Sequence, residues 1–309
     1  MSKNISEKTL QDLEFSTVLQ HVAEFCISGL GKEKVFEIKP ISNKKRLFKE
    51  LHLVDEYLTS FESDNRIPNH GFDNITENVK RLAIENSFIE TDAFLKIAIT
   101  SLTVNELIKF FKKFKIQFPT FFELSQEIEF TTFIDDEIKK IIDISGEVKN
   151  NASSTLKQIR RDINNVRGKI GASFSSALSK AIASGYLDDI KETVVDNQRV
   201  LAVSAMHRKK IAGSLLGSSK SGNIVYIAPQ ATLSYSREYQ NLIYDEKQEV
   251  IKILRALATT IRPFVSLIEE YITFLIHTDT VSYTHLRAHE TSLHLVCRLL
   301  LEKKDVCCE

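Results

Sequence analysis

Two apolar seams constrain this chain more than any other feature. Leu156, Ile159, Ile163, Val166, Ile170, Phe174, Leu178 and Ile182 recur at steps of three or four residues. Tyr235, Tyr239, Leu242, Val250, Ile253, Leu257, Ile261 and Phe264 repeat the spacing, with Glu246 on the same line. Residues so spaced lie along one side of a helix and need a partner surface. A rod of about 30 residues spans roughly 45 Å at the α-helical rise. Ser153 or Ser154 is placed to cap the first rod, and Gly185 to end it. Pro263 is expected to end or kink the second.

Between the seams the apolar period shortens to that of strands. Glu192–Val195 and Arg199–Ser204 are joined by Asp196-Asn197-Gln198. Ile211–Leu216 and Ile224–Ala228 flank a Gly/Ser-rich loop, and Pro229 stops the last run. Two hairpins in a row predict a small four-stranded sheet. The economical arrangement is an antiparallel stalk, one helix going out and one returning, with the sheet at its far end.

The first 130 residues read as several helices. Leu10, Leu13, Val18, Leu19, Val22 and Phe25 form one stripe, which Gly29 and Gly31 are expected to end. Lys44–Leu58, Ile75–Ile84 and Thr91–Lys115 are further helices, and Asn65–Phe72 is a connecting loop. Phe94, Phe110, Phe111 and Phe114 are expected in the core. A turn around Gly146 joins two short extended pieces within Ile142–Asn151. Scarce glycine and proline, 10 and 5 of 309 residues, favour helix.

Lys/Arg and Asp/Glu balance at 41 each, so net charge excludes a uniformly polycationic protein. The balance conceals an asymmetry. From Asn151 to Gly222 there are twelve Lys/Arg against five Asp/Glu, a local charge of +7. Lys157, Arg160, Arg161, Arg167 and Lys169 lie on the first seam helix. Arg199, Arg208, Lys209, Lys210 and Lys220 lie in the sheet region, with Arg208-Lys209-Lys210 between the hairpins and Lys220 in a turn. These five are the candidate contacts for nucleic-acid phosphates, a contact that gives affinity without reading sequence. A merely solvated basic face is the competing reading. Tyr226 is the lone aromatic in the strands that could stack a base, and inward packing suits it better.

The loop in GSLLGSSKSGNIVYIAPQ tests a nucleotide-binding reading. Gly217 and Gly222 have the separation of a phosphate cradle, but Asn223 and Ile224 stand where lysine and a hydroxyl are needed. A strand follows where a helix should. Other motifs of catalysis, G-x-S-x-G, H-E-x-x-H and C-x-x-C, do not occur. No apolar run of about 18 residues marks a membrane span. The N-terminus MSKNISEKTLQDLEF has no secretory order, and four cysteines fit a reducing cytoplasm.

Several segments resemble one family. IDISGEVKNNASSTLKQIRRDI, Ile142–Ile163, is similar to the start of the lever helix in MutS-II proteins. RVLAVSAMHRKKIAGSLLGSSKSGNIVYIAPQ, Arg199–Gln230, is similar to their clamp region, and TLQDLEFSTVL and EYQNLIYDEKQEVIKILRAL also fit. Ile224, Ala228 and Gln198 depart from the family pattern. The resemblance implies a mainly α fold: a helical core domain over 1–150, an outgoing lever helix over 151–186 and a four-stranded β clamp over 187–235. A returning helix over 236–279 would complete an antiparallel coiled coil with the clamp at its tip. It further implies a homodimeric ATPase and endonuclease acting on branched or structured DNA, with ribosome or RNA engagement in some members. ATP and Mg²⁺ would belong to a downstream domain, so neither is expected to bind here. A coiled-coil protein-interaction module is the alternative.

From Thr280 the family pattern stops. TVSYTHLRAHETSLHLVCRLLLEKKDVCCE, 280–309, reads as a non-native tail. His285, His289, Cys297, Cys307 and Cys308 crowd there without a common zinc spacing.

Overall fold

The computed structural model describes residues 7–24, 26–196 and 198–283. These fall into two compact units, one built from residues up to Glu147 and from Leu254 onward, the other from Val148–Ile253.

The first unit is helical: α1 Glu7–Asp12, α2 Phe15–Ala23, α3 Gly29–Phe36, α4 Lys44–Glu62, α5 Thr76–Ala83, α6 Thr91–Lys113, α7 Pro119–Gln126 and α8 Phe133–Ile141. The first stripe is two helices rather than one, because Glu14 adopts a left-handed φ of 49° between them. Gly29 and Gly31 do not end it either; they open α3. Gly31 is required there by close approach, since a Cβ would stand 2.2 Å from Asp279 Oδ2.

Its core is aromatic. Phe94, Phe111, Phe118 and Phe121 are fully buried, and the Phe111 and Phe121 rings stack at 4.8 Å. Phe110 and Phe114 flank them half-buried. Buried Glu56 is satisfied by the Thr120 and Phe121 N–H groups at 2.7 and 3.0 Å, at the amino end of α7. A carboxylate there answers both unpaired amides and the helix dipole. Ile142 and Val148 are the short extended pieces around Gly146, whose φ is 85°.

The carboxyl-terminal helix α11, Val265–Tyr283, completes this unit against α3, α4, α5 and α6. Buried Asp279 accepts hydrogen bonds from the Ile27 N–H (3.0 Å), the Ser28 N–H (3.0 Å) and the Ser28 hydroxyl (2.6 Å). Ser28 in turn caps α3 by accepting from the Gly31 N–H at 2.9 Å. The neighbouring Cys26 thiol is pushed up to about 12, first by burial and then by the Asp279 charge. It stays protonated and unreactive at neutral pH.

In the second unit α9, Ser154–Ala183, begins at Ser153, whose hydroxyl accepts from the Leu156 N–H at 2.9 Å. It ends in a left-handed Gly185 (φ 66°). The Tyr186 N–H reaches Ala181 O and the Gly185 N–H reaches Ile182 O, a Schellman cap. The returning helix α10, Gln230–Ile261, starts directly after Pro229, earlier than the expected 236. It gives way to a 3₁₀ turn, Arg262–Phe264, at Pro263.

Side-chain contacts pair the two helices antiparallel. Ser153 donates to Glu249 (2.8 Å), and Arg160 pairs with Glu246 (2.7 Å). Further along, Arg167 donates to the Tyr239 hydroxyl (3.1 Å), Lys169 lies over the Tyr235 ring (5.9 Å), and Ser173 meets Thr232 (3.5 Å). Partner numbers fall on α10 as they rise on α9.

The four strands are β1 Leu187–Val195, β2 Gln198–Ser204, β3 Gly213–Ser218 and β4 Ile224–Pro229, all antiparallel neighbours in the order β1-β2-β4-β3. β1 is longer than expected and carries an irregularity between Leu187 and Glu192. The third strand begins at Gly213, not Ile211. The sheet seats Leu201, Val203, Val225 and Ile227 on Phe174 and Ala181 of α9, with Ile211 packed alongside. Phe174 and Leu178 of the α9 seam therefore serve the sheet rather than a partner helix, and Ile182 at its end is 44% exposed.

Two outcomes follow from this packing. Phe174→Ala should cost about 3–5 kcal/mol of stability, as a buried ring is lost from a closed cluster; urea unfolding measures it. Asp279→Ala should cost about 3 kcal/mol or more, because three donors lose their acceptor. Asp279→Asn, which keeps one acceptor oxygen, should cost less in the same assay.

Candidate nucleic-acid interface

The sheet topology decides where the candidate cations stand. β2 ends at Ser204, directly opposite Ile224 at the start of β4. The Ala205 N–H then donates to Asn223 O at 2.8 Å. The chain that leaves β2 and the turn that joins β3 to β4 therefore emerge at one end of the sheet. The first is a 3₁₀ turn, Ala205–Lys210, holding Arg208, Lys209 and Lys210. The second, Ser219–Asn223, holds Lys220.

Both segments are fixed by their backbones. In the hairpin turn the Ser219 N–H donates to Ile224 O (2.9 Å) and the Gly222 N–H to Ser219 O (2.9 Å). Gly222 supplies the positive φ of 73°. The 3₁₀ turn is anchored by His207, whose ring lies 5.0 Å from that of Tyr186. Arg208, Lys209, Lys210 and Lys220 are exposed, and among the described residues none forms an ion pair. Lys210 also lines a cleft of about 620 Å³ with Lys180, Ser173, Ser176, Ser184 and Gln230.

Arg199 stands apart. It belongs to the opposite end of β2, five positions from Ser204 and roughly 17 Å away at strand rise. Its guanidinium pairs with Glu192 at 2.6 Å and lies 4.3 Å from the centroid of the Phe174 ring. That arrangement clasps β1 to β2 and covers the Phe174 ring. The cations on α9 divide likewise. Arg160 is held by Glu246, Val148 O and Asn150, and Arg167 and Lys169 sit on tyrosines. Lys157 and Arg161 are exposed.

Tyr226 is half-buried opposite Gly217 and Ala202, without the exposure of a stacking platform. The Gly217–Gly222 segment joins two antiparallel strands, so it does not fit a cradle for ATP and its Mg²⁺, which needs a helix amino end beneath the phosphates. Among the described residues no group of three His, Cys, Asp or Glu is placed to hold a metal, and no helix is long and apolar enough to cross a membrane. The histidines and cysteines from His285 to Cys308 lie outside the described residues, as does the tail beyond Tyr283; Thr280–Tyr283 continue α11.

Fold and surface together define a mainly helical protein with a small antiparallel sheet carrying exposed cations. No protein-family model matches the chain. Among curated proteins it is similar to Endonuclease MutS2 of Alkaliphilus oremlandii, 27% identical over 259 residues, covering 83% of this chain and 33% of that protein. It is also similar to Endonuclease MutS2 of Lactobacillus helveticus, 26% identical over 278 residues, 89% of this chain and 35% of that protein. Another relative is Putative endonuclease MutS2 of Bacillus subtilis, 27% identical over 256 residues, 82% of this chain and 32% of that protein. The chain is thus related to MutS2 proteins over most of its length, and spans about a third of theirs.

Arg199→Ala should lower stability by about 1–2 kcal/mol, through loss of the stacking on Phe174 and of the ion pair. Arg199→Lys should recover only part of it, because the planar stacking is lost. Chemical denaturation of both variants checks this.

Proposed function

We propose that residues 148–253 form the clamp and lever of a MutS2-type protein, a module that grips nucleic acid by its sugar–phosphate backbone. One observation carries this reading: Arg208, Lys209, Lys210 and Lys220 are exposed, on backbone-fixed turns, with no carboxylate among the described residues taking up their charge. Three of these turn cations are consecutive, so their positive fields overlap around one turn at the end of the sheet. Contacts of this kind give affinity and steep salt dependence without base readout.

The relatives' names supply the context. MutS2 proteins are named endonucleases, and in this reading the chain is the nucleic-acid-holding part of such a protein, with branched or structured DNA as its partner. ATP hydrolysis, cleavage and homodimerisation belong in this reading to the rest of the longer relatives, in the cytoplasm. Ribosomal or other RNA is the competing partner for the same cations. The alternative of an open coiled-coil docking stalk is less favoured. α9 already meets α10 at several levels from Ser153 to Ser173, and meets the sheet through Phe174.

Arg208→Ala, Lys209→Ala, Lys210→Ala and Lys220→Ala combined should weaken binding of a four-way DNA junction at least tenfold. The slope of log affinity against log salt should fall by up to about 3.6, at ~0.9 for each phosphate no longer neutralised. Anisotropy titrations at stepped salt measure both, with a structured RNA of equal length as the second arm. An unchanged slope on DNA would refute the reading. A loss confined to RNA would transfer the surface to an RNA partner.

A further inference from the structure

A second basic surface lies in the other unit, well away in sequence from the clamp. From Ile38 to Lys49 the chain holds five Lys/Arg and no Asp/Glu. The structure wraps this segment around the amino end of α4. Asn43 caps the helix, accepting from the Arg46 N–H at 3.1 Å. The first turn then carries Lys44, Lys45 and Arg46 and no acid.

That order opposes the helix dipole. The amino end of a helix is its positive end, and carboxylates are favoured there while cations repel it. Elsewhere in the same unit the ordinary solution is used, with Glu56 at the start of α7. Three cations at the start of a 19-residue helix are thus held against their own electrostatics.

The surrounding carboxylates relieve them only in part: Glu50 attracts Arg46 and Glu37 attracts Lys39, neither within ion-pair distance. Arg46 stands between two clefts. One, of about 580 Å³, is lined by Lys34, Glu37, Lys39, Glu50 and His277; the other, of about 490 Å³, by Lys45, Lys49, His52 and Glu123. The carboxylates facing these clefts are largely engaged already. Glu37 pairs with Lys34 at 2.8 Å and Glu50 with His277 at 2.9 Å, and Lys49 lies 4.0 Å from Glu127. Glu123 faces the second cleft from α7. Lys44 lies over the Phe48 ring at 5.7 Å. Lys39, Lys44, Lys45 and Arg46 are exposed and make no ion pair among the described residues.

We infer that this ridge is a second nucleic-acid contact, in which sugar–phosphate oxygens supply the negative charge missing from the amino end of α4. It rests on the nucleic-acid-binding reading of the protein but not on the clamp cations. A phosphate chain fits better than a single small anion, since the four cations spread over eight residues, and Lys39, Lys45 and Arg46 border two clefts rather than converge on one point. Removing the charges should also relieve the helix, so binding and stability should move in opposite directions.

The test uses the full chain with Lys39→Gln, Lys44→Gln, Lys45→Gln and Arg46→Gln combined, beside the wild type and the four-alanine clamp variant. The probes are a DNA duplex and a structured RNA of equal length, titrated between about 50 and 200 mM salt. The expected result is a five- to fiftyfold loss of affinity, a shallower salt slope, and an unchanged or higher urea midpoint. Loss on one nucleic acid alone supports the ridge and identifies which backbone is held. Loss in this variant with an unaffected clamp variant supports the ridge while removing the clamp reading, and the reverse result overturns the ridge. A lower urea midpoint with unchanged affinity makes the cations structural and overturns it too. Binding lost only to phosphatidylserine vesicles, with nucleic-acid affinity intact, overturns it in favour of a lipid surface.

Discussion

The second unit depends on one ring. Phe174 sits on the α9 seam, where periodicity alone would give it to α10, and it is also the centre of the sheet's core. Leu201, Val203, Val225 and Ile227 reach it from one face of the sheet, and the Arg199 guanidinium covers it. A four-stranded sheet of short strands has little apolar area of its own. It is stable here because the last third of α9, from Phe174 on, supplies its second layer. The Schellman cap at Gly185 then turns Tyr186 back onto the same cluster, so the start of β1 is set by the end of α9.

This sharing explains what can and cannot be read from residue order. The two seams, the break at Pro263, the cap at Ser153 and the hairpin turns are legible, since each is a local matter of period or backbone freedom. The earlier start of α10 is not, because Pro229 closes a strand and opens a helix in a single step. Gly31 is hidden for another reason. Its small size answers Asp279, about 250 residues away, and no local pattern carries that approach. The break at Glu14 leaves only a faint trace, a five-residue step from Leu13 to Val18 in the apolar stripe with no glycine or proline to mark it.

The candidate cations illustrate the same limit. Twelve Lys/Arg between Asn151 and Gly222 look equivalent in a charge count. Packing separates them. Those facing α10 meet Glu246, Tyr239 or Tyr235, and Arg199 meets Glu192 and Phe174. Those on the two turns face solvent, since a turn at the end of a sheet has no element opposite it to provide a carboxylate. The basic stretch at α4 is inconspicuous in the sequence because its surroundings are acidic as a whole, with 19 Lys/Arg against 25 Asp/Glu up to Glu147.

Under the proposed nucleic-acid-binding reading, a surface of this kind has a physical consequence for recognition. Lysine and arginine on short turns offer charge at the ends of long, mobile side chains, while the backbone beneath them is tied by bonds such as Ala205 to Asn223. Mobile heads on a fixed base adapt to phosphates in many arrangements and read none of the bases. Discrimination among nucleic acids then has to come from where phosphates can be placed together, that is, from the shape of the strand or junction. With Tyr226 half-buried between its strands, unpaired bases would gain little from stacking there. Shape would decide the partner, and salt would decide how tightly it is held.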